Sequence, residues 1–254
     1  MTAPDPQAAQ MPFIKNLASS DRQLRTRSLA ALQAFLSQQP SLTPPSALKL
    51  WTGLYYALWM TDQPRPQQAL ASELASLPLD LPASSVAPFL RAFWQVLSGQ
   101  WALIDALRMD KFLLLVRRVF AAHVRLAREK RWEGDTVDSI LEVLGTECFD
   151  VGERRGVALG LRLHALDLWV DEMERERALG DKAETVGDDD VPRGQFVRNV
   201  GRLVERLRRS PVKSVRARAS ESYADERLPW GGEASDKEGG DEDEEGGGWG
   251  GFED

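Results

Sequence analysis

The sequence predicts an all-α protein, an elongated solenoid of antiparallel helix pairs. Three observations carry this. Apolar residues recur at helical spacing along almost the whole chain, and strand-like alternation is nearly absent. Turn-forming residues fall at intervals that suit helices joined by short connections. Four tryptophans, Trp51, Trp94, Trp132 and Trp169, sit near the ends of successive apolar segments, at spacings of 43, 38 and 37 residues. A period of roughly 40 residues matches two-helix repeats of the HEAT type.

The elements follow in order. "MPFIKNLASS" reads as a first short helix with Pro12 near its start. Ser20 is placed to cap a helix running to about Gln39, with Leu24, Leu29, Leu32, Phe35 and Leu36 inward. Thr43 and Pro44 open the next helix, which breaks at Pro64 and Pro66 and resumes over about 66–77. Further helices are expected over about 84–98, 101–108, 110–130, 136–149, 156–175 and 192–209. A polar linker, "DKAETVGDDD" with the residues just before it, covers about 176–190. The expected organisation is a disordered N-terminus at 1–11, a solenoid domain at 12–228 and a disordered acidic, Gly-rich tail at 229–254.

The stretch "LKLWTGLYYALW" asks why one helix carries four large rings. On a helical wheel Ala57, Leu50, Leu54, Leu58, Trp51, Tyr55, Leu48 and Trp59 fill an arc of about 200°. Tyr56 and Met60 flank the remaining side, which holds Lys49 and Gly53. A helix this apolar must be covered on more than one side, so the rings read as the middle of a stack rather than a ligand pocket.

The charge is uneven. The net charge of −7 is a property of the tail, because residues 231–254 hold ten acidic residues and one lysine. The other 230 residues hold 31 basic and 29 acidic residues, so the body is nearly neutral. The chain has no apolar run of 18 residues, and "MTAPDPQAAQ" lacks the basic and apolar parts of a secretory signal. A single cysteine, Cys148, forms no internal disulfide and points to a reducing compartment.

The search for chemistry is mostly negative. The sequence has no Gly-rich phosphate loop, no cysteine pair for zinc and no nucleophile elbow. His123 falls on the apolar side of its helix near Phe112 and Val116, a packing position. His164, Asp167 and Asp171 share one strip at i, i+3 and i+7; without ligands from a second helix it reads as a solvated polar face. Asp188, Asp189 and Asp190 end the linker and favour the next helix N-terminus through its dipole. Cys148 lacks a nearby base in sequence and reads as buried and inert. No catalytic residue, metal, cofactor, membrane or small-molecule substrate is expected.

Two basic stripes are more informative. On "DKFLLLVRRVFAAHVRLAREKRW", Lys111, Arg118 and Arg125 recur at i, i+7 and i+14, with Arg117 and Arg128 beside them. On 192–209, Phe196, Val197, Val200, Leu203, Val204 and Leu207 form a buried stripe; Arg198, Arg202, Arg206 and Arg209 lie opposite. "SPVKSVRARA" follows with Lys213, Arg216 and Arg218. Such stripes can track phosphates, to which arginine forms paired hydrogen bonds. The other reading is a solvated face that meets acidic protein surfaces.

The tryptophan-rich block "LKLWTGLYYALWMTDQPRPQQALASEL", then "FLRAFWQVLSGQWALIDALRMDKFLLLVRRVF", then "GLRLHALDLWVDEM", resembles the eukaryotic ribosomal RNA-processing protein 1 family. The resemblance covers about residues 12–228, including "SVRARASESYADERL". The first block and the W-x-x-I-D-x-x-R-x-D-K-F run, Trp101 to Phe112, are its specific pair. It implies a non-catalytic, HEAT-like scaffold in nucleolar precursors of the large ribosomal subunit. Such a scaffold supports processing of the pre-rRNA that yields the large-subunit and 5.8S RNAs. It also implies pre-rRNA and other assembly factors, Brix-domain and WD-repeat proteins among them, as partners. "RRSPVKSVRAR" is a weak candidate import segment. The alternative function is a protein–protein adaptor that touches no RNA.

Overall fold

The computed structural model describes residues 16–17, 19, 21–152, 156–180 and 190–231. Among them are nine helices and no strand. The expected first short helix and the linker lie largely, and the N-terminus and tail almost wholly, outside these residues.

Helix α1, Arg22–Gln38, is capped by Asp21, whose side chain accepts from the Gln23 amide at 2.8 Å. Its buried apolar positions are Leu29, Leu32 and Leu36, with Phe35 partly covered. Leu24, expected inward, is exposed. α1 packs on a 3₁₀ turn at Leu77–Asp80, to which Gln33 reaches from the middle of the helix.

Helix α2, Pro44–Trp59, begins as its residues dictate: Thr43 accepts from the Ser46 amide, and proline at the first helical position has no amide to leave orphaned. Ala47, Leu50, Trp51, Leu54, Tyr55, Ala57 and Leu58 are buried, while Tyr56 and Met60 are exposed, as the wheel places them. Helix α3, Pro64–Ser76, starts at the first of the two prolines. Helix α4 is Ala83–Gln100.

The helix expected over 101–108 is absent. A 3₁₀ turn, Trp101–Leu103, is followed by Ile104 in an extended conformation. Asp105 then caps a single long helix, α5, Ala106–Glu129, by accepting from the Arg108 amide at 3.0 Å. An aspartate that bonds the backbone three residues on starts a helix rather than continuing one, and apolar spacing alone does not register that.

Helix α6, Gly134–Val143, runs into a π turn, Leu144–Cys148, and the two together fill the expected 136–149. Helices α7, Leu159–Arg175, and α8, Asp190–Leu207, follow. A ninth helix, α9, Lys213–Tyr223, is not expected from the sequence; it buries only Val215 and Ala219, too few apolar residues to show a period.

The helices form two layers. α2, α4, α6 and α8 pack in sequence in one, and α3, α5, α7 and α9 in the other. Consecutive helices alternate between layers, which is the paired-helix solenoid the spacing predicts. The tryptophan period marks it imperfectly. Trp51 and Trp94 stand on neighbouring helices of one layer, but Trp132 lies in the turn after α5 and Trp169 on α7 of the other layer. The helices α2, α4, α6 and α8 begin 39, 51 and 56 residues apart, so only the first interval approaches the expected length.

Of the four rings of α2, Trp51 and Tyr55 are buried in the core, Trp59 is partly buried against it and Tyr56 is exposed. Trp51 meets Phe89 and Phe93 of α4, each at 4.9 Å between centroids, and Tyr55 stacks on Phe112 of α5 at 4.7 Å. Trp132 packs on Phe196 of α8 at 5.2 Å. No helix among the described residues is long and apolar enough to cross a membrane.

Candidate nucleic-acid interface

The α5 stripe faces α7 and the α2–α3 turn. Lys111 is buried, and its Nζ donates to the carbonyls of Trp59 at 2.7 Å and Thr61 at 2.9 Å. Burial lowers its pKa below the usual lysine range. Arg117 donates to Glu172 at 3.0 Å and lies 3.4 Å from Asp171. Arg125 forms a two-pronged pair with Glu176, with Nε at 3.1 Å, and that hydrogen bond raises the arginine's pKa. Arg128 donates to the Glu176 carbonyl at 2.9 Å and lies 3.4 Å from its carboxylate. Arg118 is half-buried between them.

The acceptors of the three paired arginines are acids of α7 and Glu176 at its C-terminal cap. His164, Asp167 and Asp171, read from sequence as a solvated face, line this seam instead. His164 Nε2 lies 3.1 Å from the Leu113 carbonyl of α5. Asp167 pairs with Arg218 of α9, and Asp171 with Arg117 and Arg227. Arg227 also holds Glu174 at 2.7 Å and Asp225 at 2.7 Å, a hub that no sequence pattern announced. Glu172 is fully buried, and desolvation raises its pKa. Of the five cations of the α5 stripe, Arg117, Arg125 and Arg128 thus find partners on α7 and at its C-terminal end, and Lys111 finds its own in the α2–α3 turn.

The α8 stripe is arranged differently. Arg198, Arg202, Arg206 and Arg209 are exposed. Arg202 donates to Asn199 at 3.1 Å, and among the described residues none of the four has a carboxylate partner. Beneath them Phe196, Val197, Val200, Val204 and Leu207 are buried, and Leu203 is partly covered, so the predicted inner stripe holds. Lys213 is exposed at the start of α9. Arg216 turns back, donating to the carbonyls of Ser210 at 2.7 Å and Pro211 at 2.9 Å, and ties the α8–α9 turn. Between the end of α8 and α9 lies an open groove of about 480 Å³ lined by Glu205, Arg206, Arg208, Arg209 and Ser220. Arg208, absent from the sequence-level stripe, lies over the Tyr223 ring at 5.4 Å. Only recognition of α9 could have found it.

The remaining singled-out side chains are structural. His123 is fully buried; Trp94 Nε1 reaches its Nε2 at 3.4 Å, and its Nδ1 lies 2.7 Å from the Val119 carbonyl. Desolvation lowers its pKa to about 4. Cys148 is buried, and burial pushes its thiol pKa far up. Asp188 and Asp189 lie outside the described residues, and Asp190 is the first residue of α8.

The family profile described as "Nucleolar protein, Nop52" matches residues 8–248, nearly the whole chain. The chain belongs to this family. Relatives of the chain include Ribosomal RNA processing protein 1 homolog B of Homo sapiens, 31% identical over 181 residues, which are 68% of this chain and 23% of the relative. Ribosomal RNA processing protein 1 homolog A of Mus musculus is 29% identical over 213 residues, 82% of this chain and 41% of the relative. The Drosophila melanogaster homolog is 26% identical over 174 residues, 66% of this chain and 25% of the relative. The chain thus spans less than half the length of these relatives. The family is nucleolar, and the motif-level resemblance and the profile agree on it. The profile extends past Leu228, and packing also continues there. Trp230 stacks on Tyr223 at 5.1 Å and donates to its carbonyl at 2.9 Å.

Proposed function

We propose that this chain is a non-catalytic scaffold in ribosome assembly that holds pre-rRNA and assembly factors together while the precursor of the large-subunit and 5.8S RNAs is processed. Membership of a nucleolar family whose relatives are named for ribosomal RNA processing supports the process. The contrast between the two basic stripes supports the surface. Arg198, Arg202, Arg206 and Arg209 are outward and without carboxylate partners among the described residues, whereas Lys111, Arg117, Arg125 and Arg128 are engaged within the fold. The single observation that carries the RNA reading is the first of these: four guanidinium groups in one row over an intact hydrophobic stripe.

In this reading the α8 row, with Arg208 and Lys213, tracks RNA phosphates by charge and paired hydrogen bonds, without reading bases. Changing Arg198, Arg202, Arg206 and Arg209 to glutamine tests it. Filter binding to structured RNA across a salt series should show weaker binding. The log–log salt slope should flatten by roughly 0.7–0.9 for each phosphate no longer neutralised. Unchanged binding and slope in a folded variant would remove RNA from this face.

The second reading, a protein adaptor with no RNA contact, has its own observation. Tyr56, Met60, Leu103 and Leu107 are exposed apolar residues on α2 and at the start of α5. Brix-domain and WD-repeat proteins are the assembly-factor classes that either reading brings. Retention of such partners by the four-glutamine variant, with RNA binding lost, would separate the two roles.

A further inference from the structure

The acidic run of the C-terminal segment has no part in the proposed RNA interface. The last described residues sit on the basic face. A Cβ built on Gly201 of α8 would meet the far edge of the Trp230 ring at 2.3 Å, so the indole lies directly on that helix. Trp230 stacks on Tyr223, and Arg208 lies over the same Tyr223 ring at 5.4 Å. The tyrosine also lies within the electrostatic reach of Glu205 and Arg202. The chain therefore leaves the described fold beside α8, near Arg202, Glu205 and Arg208.

Downstream of Gly231 the chain carries five consecutive acids, Asp241–Glu245, in a Gly-rich context. Ten residues lead from Gly231 to Asp241. That length reaches about 33–36 Å when extended. A Gly-rich coil of the same length has a typical end-to-end distance of about 17 Å. The row from Arg198 to Arg209 covers about 16–17 Å of helix. The run thus reaches every cation of the row, at an effective concentration on the order of millimolar. Carboxylates offer guanidinium the same paired acceptors as phosphates do.

We propose that Asp241–Glu245 docks in cis on Arg198, Arg202, Arg206 and Arg209 and competes with RNA for these cations. This rests on the RNA reading of that face. The contact is electrostatic and exposed, so it is strongest at low ionic strength and fades as salt shortens the Debye length. It reduces apparent RNA affinity by the fraction of molecules left open, an effect on the order of tenfold at low salt.

The test compares the full chain with one in which Asp241→Asn, Glu242→Gln, Asp243→Asn, Glu244→Gln and Glu245→Gln neutralise the run. A spin label is placed at Gly247→Cys; Cys148 is buried, so the label goes to one position. Without RNA at low salt, α8 amides around 198–209 should broaden, and the broadening should vanish in the neutralised chain and at high salt. Filter binding with a structured RNA should show the neutralised chain binding about tenfold tighter at low salt and equally at high salt. Absence of broadening overturns the docking whatever the RNA result. Broadening with no gain in RNA affinity on neutralisation, while both chains bind RNA, overturns the competition. If neither chain binds RNA and broadening is present, the RNA reading of the face falls while the docked run stands.

Discussion

Trp51→Ala is the sharpest test of whether the aromatic helix is core. Trp51 is 1% exposed and sits between Phe89 and Phe93 at interplanar angles of 52° and 60°. Truncating a buried tryptophan costs about 3–5 kcal/mol. The two tilted ring contacts, at about 0.5–1.5 kcal/mol each beyond area burial, put this site in the upper half of that range. For a domain of this size a loss of about 4 kcal/mol lowers Tm by about 8–16 °C. Trp51 Nε1 has no hydrogen-bond partner among the described residues. Trp51→Phe therefore keeps a ring and removes an unpaired donor that costs about 1–3 kcal/mol to bury, so its net loss should be only about 1–2 kcal/mol. Urea unfolding should show both variants with lower midpoints and an unchanged m-value. The reasoning fails if alanine costs less than about 1.5 kcal/mol. It also fails if phenylalanine costs as much as alanine, or if alanine abolishes partner binding at full stability.

Three further outcomes are expected. His123 is held as one neutral tautomer, accepting from Trp94 and donating to Val119; the unfolded chain takes a proton near its ordinary pKa of 6.5, whereas the folded chain resists until about 4. Stability from this group is complete above pH 6.5 and lost as pH falls toward 4, by up to about 3 kcal/mol, and comparing urea midpoints of the chain and His123→Gln across pH isolates it. Gly201→Ala should destabilise by about 1–3 kcal/mol although alanine is the better helix former, because its Cβ displaces Trp230; in a Trp230→Ala background the penalty should disappear, measured by thermal melts. Glu176→Gln should cost about 1–2 kcal/mol, discounted because Arg125 and Arg128 are over a third exposed, and Arg125→Gln should then cost less in that background than alone, in a double-mutant cycle.

Element identity was legible wherever apolar spacing was strong. The inward face of α2 and the inner stripe of α8 lie where the wheel places them, because both depend on residues within one or two turns. Local polar chemistry was less legible. Apolar spacing alone leaves Asp105 inside a helix, whereas its bond to the Arg108 amide makes it a start, and α9 is hidden because it buries so little.

The residues by themselves determined the helical class, the alternation of buried and polar faces, and the family, since each follows from composition, short-range spacing or motif. They also showed that each basic stripe exists. Only the tertiary structure decided what each stripe meets. A helical wheel gives a direction about one axis and says nothing of what lies there. α5 has α3 on one side and α7 on the other, so Arg117, Arg125 and Arg128 face the acids of α7 and its C-terminal cap, and Lys111 faces the α2–α3 turn. Among the described residues α8 is the last helix of its layer, packed on α6 and α9, so no later helix of that layer covers its arginines. Two stripes of like composition meet different surroundings because, among the described residues, one lies inside the stack and the other on the last helix of its layer.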